Sequence, residues 1–138
     1  MRDLRYGIEI EMTGLSRGKA AETLAGFFGT RAEHTGGGYD AYAVRDAQGR
    51  VWKLVSDGSI QTQKKVRGQT VAADTTYSVE LVSPVCVYED IETIQEIVRA
   101  LRRNNALVND SCGIHVHVGA EKFDAQHLRN ITNIMASK

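Results

Sequence analysis

The chain has 138 residues, 42% of them apolar and 25% charged, the profile of one ordinary soluble domain with room for a substantial core. Its 17 basic side chains equal its 17 acidic ones, so no global field draws it to nucleic acid or to an anionic membrane. No apolar run is long enough to span a bilayer, and the acidic, alternating N-terminus lacks the apolar stretch of a secretory signal, so a cytoplasmic setting is expected.

Residues 6–12 alternate, with Tyr6, Ile8, Ile10 and Met12 on one parity and Gly7, Glu9 and Glu11 on the other, which is the period of a strand. Glu9 and Glu11 therefore share a face, about 6.5 to 7 Å apart along the backbone. They repel by roughly 2 kcal/mol at the effective dielectric of a protein surface. A cation between them reverses the sign of that cost, whereas on a plain wet sheet face water and salt merely screen it. Ser16 then caps a predicted helix carrying Ala20, Ala21, Leu24, Ala25 and Phe28 at three- and four-residue steps, and Gly29 ends it.

The triple glycine 36–38 has neither a strand before it nor a helix start after it, so it reads as a loop rather than a phosphate cradle. Residues 39–44 and 50–55 form a hairpin around the turn at 47–49. Residues 61–75 are polar and include Lys64, Lys65 and Arg67 beside Gly68. They read as a long solvated loop, whose functional version would close this basic tip over an anionic substrate. A strand carrying Glu80 follows over 77–83, stopped by Pro84, the sole proline.

From Glu89 onward, Ile91, Ile94, Ile97, Val98 and Leu101 make a helical stripe with acids in its first turn and Arg99, Arg102 and Arg103 in its last, as the macrodipole favours. Residues 113–119 repeat the opening pattern, with Ile114, Val116 and Val118 on one side and His115 and His117 on the other. Asp124 then caps a last predicted helix through Leu128, Ile131, Ile134 and Met135. Cys86 and Cys112 match no zinc or redox spacing and read as small buried thiols. The order β, α, several β, α, β, α predicts an α+β domain, a mainly antiparallel sheet with helices packed on one face.

If helices cover the backs of these strands, the opposite face collects Glu9, Glu11, Glu80, His115 and His117, with Asp57 joining from the end of the strand through Trp52 and Leu54. Carboxylates outnumber imidazoles, which favours a hard cation, Mg²⁺ or Mn²⁺, over structural zinc. The imidazole leaves Zn²⁺ and Fe²⁺ open. Each residue also has a plainer reading: Asp57-Gly58 is a hairpin-turn signal, and Glu80 fits an exposed strand position. His34 and His127 lack polar companions in register and read as surface residues.

Four stretches in order, Tyr6-Gly7-Ile8-Glu9-Ile10-Glu11, Trp52-Lys53-Leu54-Val55-Ser56-Asp57-Gly58-Ser59-Ile60, Val79-Glu80-Leu81-Val82-Ser83-Pro84 and Cys112-Gly113-Ile114-His115-Val116-His117-Val118, carry a family resemblance. The chain resembles the N-terminal part of an amidoligase, a branch of the carboxylate–amine ligase superfamily that includes glutamine synthetase and glutamate–cysteine ligase. The resemblance implies a curved antiparallel sheet like part of the glutamine synthetase catalytic fold. It implies that Glu9, Glu11, Glu80 and His115 hold divalent metal, that His117 lies near the phosphates of ATP, and that Asp57 and Ser59 belong to the catalytic face. The implied reaction phosphorylates a small-molecule or peptide carboxylate with ATP and Mg²⁺ (or Mn²⁺), after which an amine displaces phosphate.

Related enzymes carry further strands with a phosphate-contacting arginine and another metal-binding glutamate, for which Arg129 on the last predicted helix is a poor match. Residues 1–138 are thus expected to be a single unit, the N-terminal portion of an amidoligase-like catalytic domain, with the ligase machinery incomplete. Two other classes compete. His115, His117 and Glu80 could form the two-histidine, one-carboxylate triad of a non-haem iron oxygenase, although Glu9 and Glu11 are then surplus. A truncated, non-catalytic binding module would instead use an exposed sheet edge to form a homo-oligomer or capture a partner.

Overall fold

A computed structural model describes residues 4–119 of the chain; the predicted helix after Asp124, with His127 and Arg129, lies outside the described residues. The first strand, β1 (Arg5–Met12), buries its alternate side chains Tyr6, Ile8, Ile10 and Met12, as the two-residue period requires. Helix α1 (Arg17–Phe28) starts where the Ser16 hydroxyl accepts a hydrogen bond from the Lys19 amide at 3.1 Å, and ends at Gly29, whose φ of 73° suits a residue without a Cβ. Both ends fall where the sequence puts them.

Strand β2 (Ala32–Gly36) pairs with β3 (Ala41–Arg45), which pairs with β4 (Val51–Val55). The β3–β4 hairpin is as expected, but β2 is an addition, since Gly36 ends a strand rather than starting a loop. Asp40 Oδ1 accepts a hydrogen bond from His34 Nε2 at 2.7 Å, and the His34 ring stacks on Tyr42. His34 is thus exposed as predicted but does have a polar companion.

Residues 61–75 are no bare loop: β5 (Gln63–Val66) and β6 (Gln69–Ala72) form a separate two-stranded hairpin. A short 3₁₀ turn at Thr75–Tyr77 leads to β7 (Val79–Val82), then β8 (Cys86–Val87), helix α2 (Ile91–Arg103) and β9 (Ile114–Val118).

The main sheet is antiparallel throughout. Strand β7 lies between β4 and β1, while β8 continues along the same side of β1, its register shifted by one residue. The shift falls at Ser83-Pro84, where proline offers no amide; there the Ser83 hydroxyl accepts the Ile8 amide at 2.9 Å and keeps the ladder satisfied. Strand β9 pairs along the other side of β1, so the order across the site is β4, β7, β1, β9.

Trp52, Leu54, Val79, Leu81 and the buried residues of β1 meet Ala20, Ala21 and Leu24 of α1 and Ile94, Ile97 and Leu101 of α2 in one core. Both helices thus pack on one face, giving the expected α+β architecture. Cys86 is buried and free, and Cys112 is half-buried and free. Among the described residues no helix is long and apolar enough to cross a membrane.

A buried ionic knot closes the end of the sheet away from the Glu9 row. Arg50 spans Asp46 and Asp90, and Asp46 also accepts the Trp52 indole N–H at 3.0 Å. Burial works to raise the carboxyl of Asp46, but hydrogen bonds from Trp52 and the Arg50 backbone outweigh it and hold the group below its ordinary range.

Candidate functional site

Registers around β1 build the site row by row. In one row Glu11 lies opposite Glu80 of β7, which lies opposite Val55 of β4. In the next, Glu9 lies between Val82 of β7 and His115 of β9, and Gly7 then faces His117. All of these acids and imidazoles have the parity opposite to the buried residues, so they stand on the face away from the helices. Glu80 is half-buried in this crowd rather than exposed.

The side chains gather into two groups. One ligand atom each from Glu9, Glu80 and His115 lie within 4.8 Å of one another, and so do one each from Glu11, Asp57 and Glu80. Glu80 belongs to both. His117 is in neither, but its Nε2 sits 3.2 Å from Glu9 Oε2, while His115 Nδ1 lies 3.7 Å from Glu9 Oε1. The triad needed for a non-haem iron site is thus only partly assembled, since His115 and Glu80 come together without His117.

Electrostatics mark the crowding. Burial, a hydrogen bond with Glu9 and the charges of Glu9, Asp57 and Glu11 push the Glu80 carboxyl up to about 7. Glu11 is also raised, by burial first and then by its hydrogen bond with Asp57, against a lowering bond from the Gly113 amide. Asp57 is lowered because Glu11 and the Ser59 amide and hydroxyl all donate to it. Of the two carboxyls, Glu11 therefore holds a proton more tightly than Asp57.

Asp57 is placed by the backbone. It heads a turn in which its carbonyl accepts the Ile60 amide at 3.1 Å, and its Oδ1 accepts the Ser59 amide and hydroxyl at 2.9 and 2.7 Å. The Asp57-Gly58 signal does mark a turn, but one that follows β4 and delivers Asp57 to the site instead of closing a two-residue hairpin. The Ser59 hydroxyl is engaged in holding Asp57.

Two supporting residues escaped the sequence reading. Buried Ser78 accepts the Asp57 amide at 2.7 Å and donates its hydroxyl to the Asp57 carbonyl at 2.8 Å. Buried Arg17 in turn donates to the carbonyls of Ser78 and Thr75, both at 2.7 Å. Nothing local singles out Ser78. Arg17, however, occupies an apolar-stripe position three, four and seven residues before Ala20, Ala21 and Leu24, and a charge there was a usable signal.

The donor set, four carboxylates and an imidazole, is oxygen-rich, and after burial it is the neighbouring acids that raise the Glu80 carboxyl. Such a set can hold hard divalent cations. Residues 2–138 match the model of a family described as "Putative amidoligase enzyme". No curated protein and no solved structure matches the chain. With nearly its whole length covered by that model, the chain belongs to the amidoligase family.

Proposed function

We propose that the protein is an ATP-dependent carboxylate–amine ligase, working through an acyl-phosphate to form an amide or isopeptide bond. The observation that carries this reading is the pair of acidic groups joined by Glu80 on one face of the sheet of an amidoligase-family chain. Glu9, Glu80 and His115 would hold one Mg²⁺ or Mn²⁺ ion, and Glu11, Asp57 and Glu80 a second. When bound, the ions and ATP supply a phosphoryl group and the positive charge that its transfer to a carboxylate demands.

The chain's own residues do the positioning. Each oxygen of Glu9 faces one histidine, His115 Nδ1 at 3.7 Å and His117 Nε2 at 3.2 Å, which keeps the two imidazoles along β9 turned toward the same carboxylate. His117, exposed at the margin, can donate to an anionic group standing over Gly7, where no atom lies within 4 Å of the space a Cβ would fill. Ser59 and Ser78 fix Asp57. The iron-oxygenase reading leaves Glu11 and Asp57 without a task, and a purely structural module leaves the whole acidic face without one.

Calorimetric titration of ATP, with and without Mg²⁺, tests the proposal. The wild-type chain should bind ATP only with the metal, and the Glu9→Gln, Glu11→Gln double variant should lose at least about 100-fold in affinity, since two charged oxygen donors are gone. Metal-dependent nucleotide binding that survives the double substitution would sink the assignment.

A further inference from the structure

Lys53 is the basic residue in the Glu9 row. It lies opposite Val82, which lies opposite Glu9, so its Cα is two strands and about 10 Å from that of Glu9 on the same face of the sheet. Lysine is disfavoured in strands, and this one is in β4, flanked on both sides by β3 and β7. Its neighbours across the sheet are Ala43 and Val82, neither of which offers a charge.

The acids of that face are occupied with one another and with the two histidines. Glu9 meets His115 and His117, Glu80 bonds Glu9, and Glu11 bonds Asp57 and the Gly113 amide. Among the described residues the exposed Lys53 side chain makes no hydrogen bond or ion pair. An ammonium on a flexible four-carbon stem, on the same face of the sheet as Glu9 and Glu80 and paired with neither, is available to an incoming anion.

We infer that Lys53 contacts a phosphate of the nucleotide from the β4 side, opposite His117, so that the phosphates lie across the β7–β1 rows between a cation and an imidazole. This rests on the ligase reading above and adds a binding residue to it. A lysine is suited to the task because a phosphate changes position as it is transferred, and a mobile point charge can follow it.

The test separates two effects of opposite sign. In Lys53→Met, affinity for Mg²⁺–ATP should fall about tenfold, the loss of one charge-assisted contact, with adenosine binding unchanged. Affinity for Mn²⁺ alone, followed by its paramagnetic resonance signal, should stay level or rise, because a neighbouring positive charge has gone. Lys53→Arg should recover most of the ATP affinity. Tighter Mn²⁺ with unchanged ATP affinity would make Lys53 a mere counter-charge and overturn the inference. Loss of both affinities together, or of the cooperative melt, would make it structural and overturn it likewise. If the wild-type chain shows no metal-dependent ATP binding, the ligase reading and Lys53's role fail together; if it does and Lys53→Met matches it, Lys53 alone fails.

Discussion

Glu80→Gln should stabilise the metal-free protein above neutral pH while crippling its affinity for divalent cations. The folded-state carboxyl titrates near 7, well above its ordinary value, chiefly because of burial and the bond with Glu9. Between those two values the folded chain retains a proton that the unfolded chain has released. Stability from this group is therefore full at acid pH and declines as the pH rises through 7. Glutamine has no charge to force into the crowd. After allowance for solvent screening, the gain should be about 1 kcal/mol, or a few degrees in Tm for a domain of this size.

The same side chain contributes to both acidic groups, so its loss removes an oxygen from each, and metal affinity should drop at least about 100-fold. Thermal melts of the metal-free protein at pH 6 and 8.5, paired with Mn²⁺ titrations, check both halves. An identical change in Tm at the two pH values, or wild-type metal affinity, would contradict the account.

Arg17→Met should be the most damaging single change outside the core proper. Arg17 is 5% exposed, and its guanidinium serves the carbonyls of Thr75, Ser78 and Asp40 together with the Asp40 carboxylate. Methionine fills part of the volume but donates nothing, so the Ser78 carbonyl and its neighbours lose partners where water is scarce. A loss of about 3 kcal/mol follows from leaving buried acceptors unpaired.

Asp40→Asn is the informative comparison, because the Asp40 side chain is 45% exposed and its ion pair is accordingly screened by solvent. Denaturant unfolding of the two variants should separate them by at least twofold in free-energy loss. Equal losses would place the energy in the ion pair instead of the carbonyl contacts. Because Ser78 holds Asp57 at both its amide and carbonyl, Arg17→Met should also weaken binding of metal at the Glu11, Asp57 and Glu80 group.

Much of this arrangement was visible in the chain before any fold was known. Glu9, Glu11, His115 and His117 could be assigned to one face because each is interleaved with large apolar residues that must be buried, and a period of two leaves the rest no choice. That β9 and β7 flank β1 from opposite sides was not visible, because strand order depends on contacts between segments far apart in sequence, such as Tyr6 and Val118.

Strand β2 was missed for the converse reason. Its Ala-Glu-His-Thr-Gly is exposed or half-exposed along its whole length and pairs only with β3, so no buried face imposes alternation. The β5–β6 hairpin is likewise exposed or half-exposed along its whole length, Val66 and Val71 included. Asp57 carried a turn signal that was correct locally and uninformative about where the turn would be delivered.

The β5–β6 hairpin hangs from the body by few threads: the Thr13 hydroxyl and Gln63 bond reciprocally, Gly14 donates to the Gln63 carbonyl, and Asn109 reaches Gln61 and Gln63. Its tip, Arg67-Gly68, is exposed, with positive φ at both residues. Among the described residues, trypsin should therefore nick the native protein first at Arg67 or Lys65, well before any cut in the main sheet. The two pieces should nevertheless travel as one species on gel filtration, because β1 from the first half is stitched between β7 and β9 from the second. The chain is thus built as a molecule divisible in sequence and indivisible in space, with the scission point lying outside the interleaved strands.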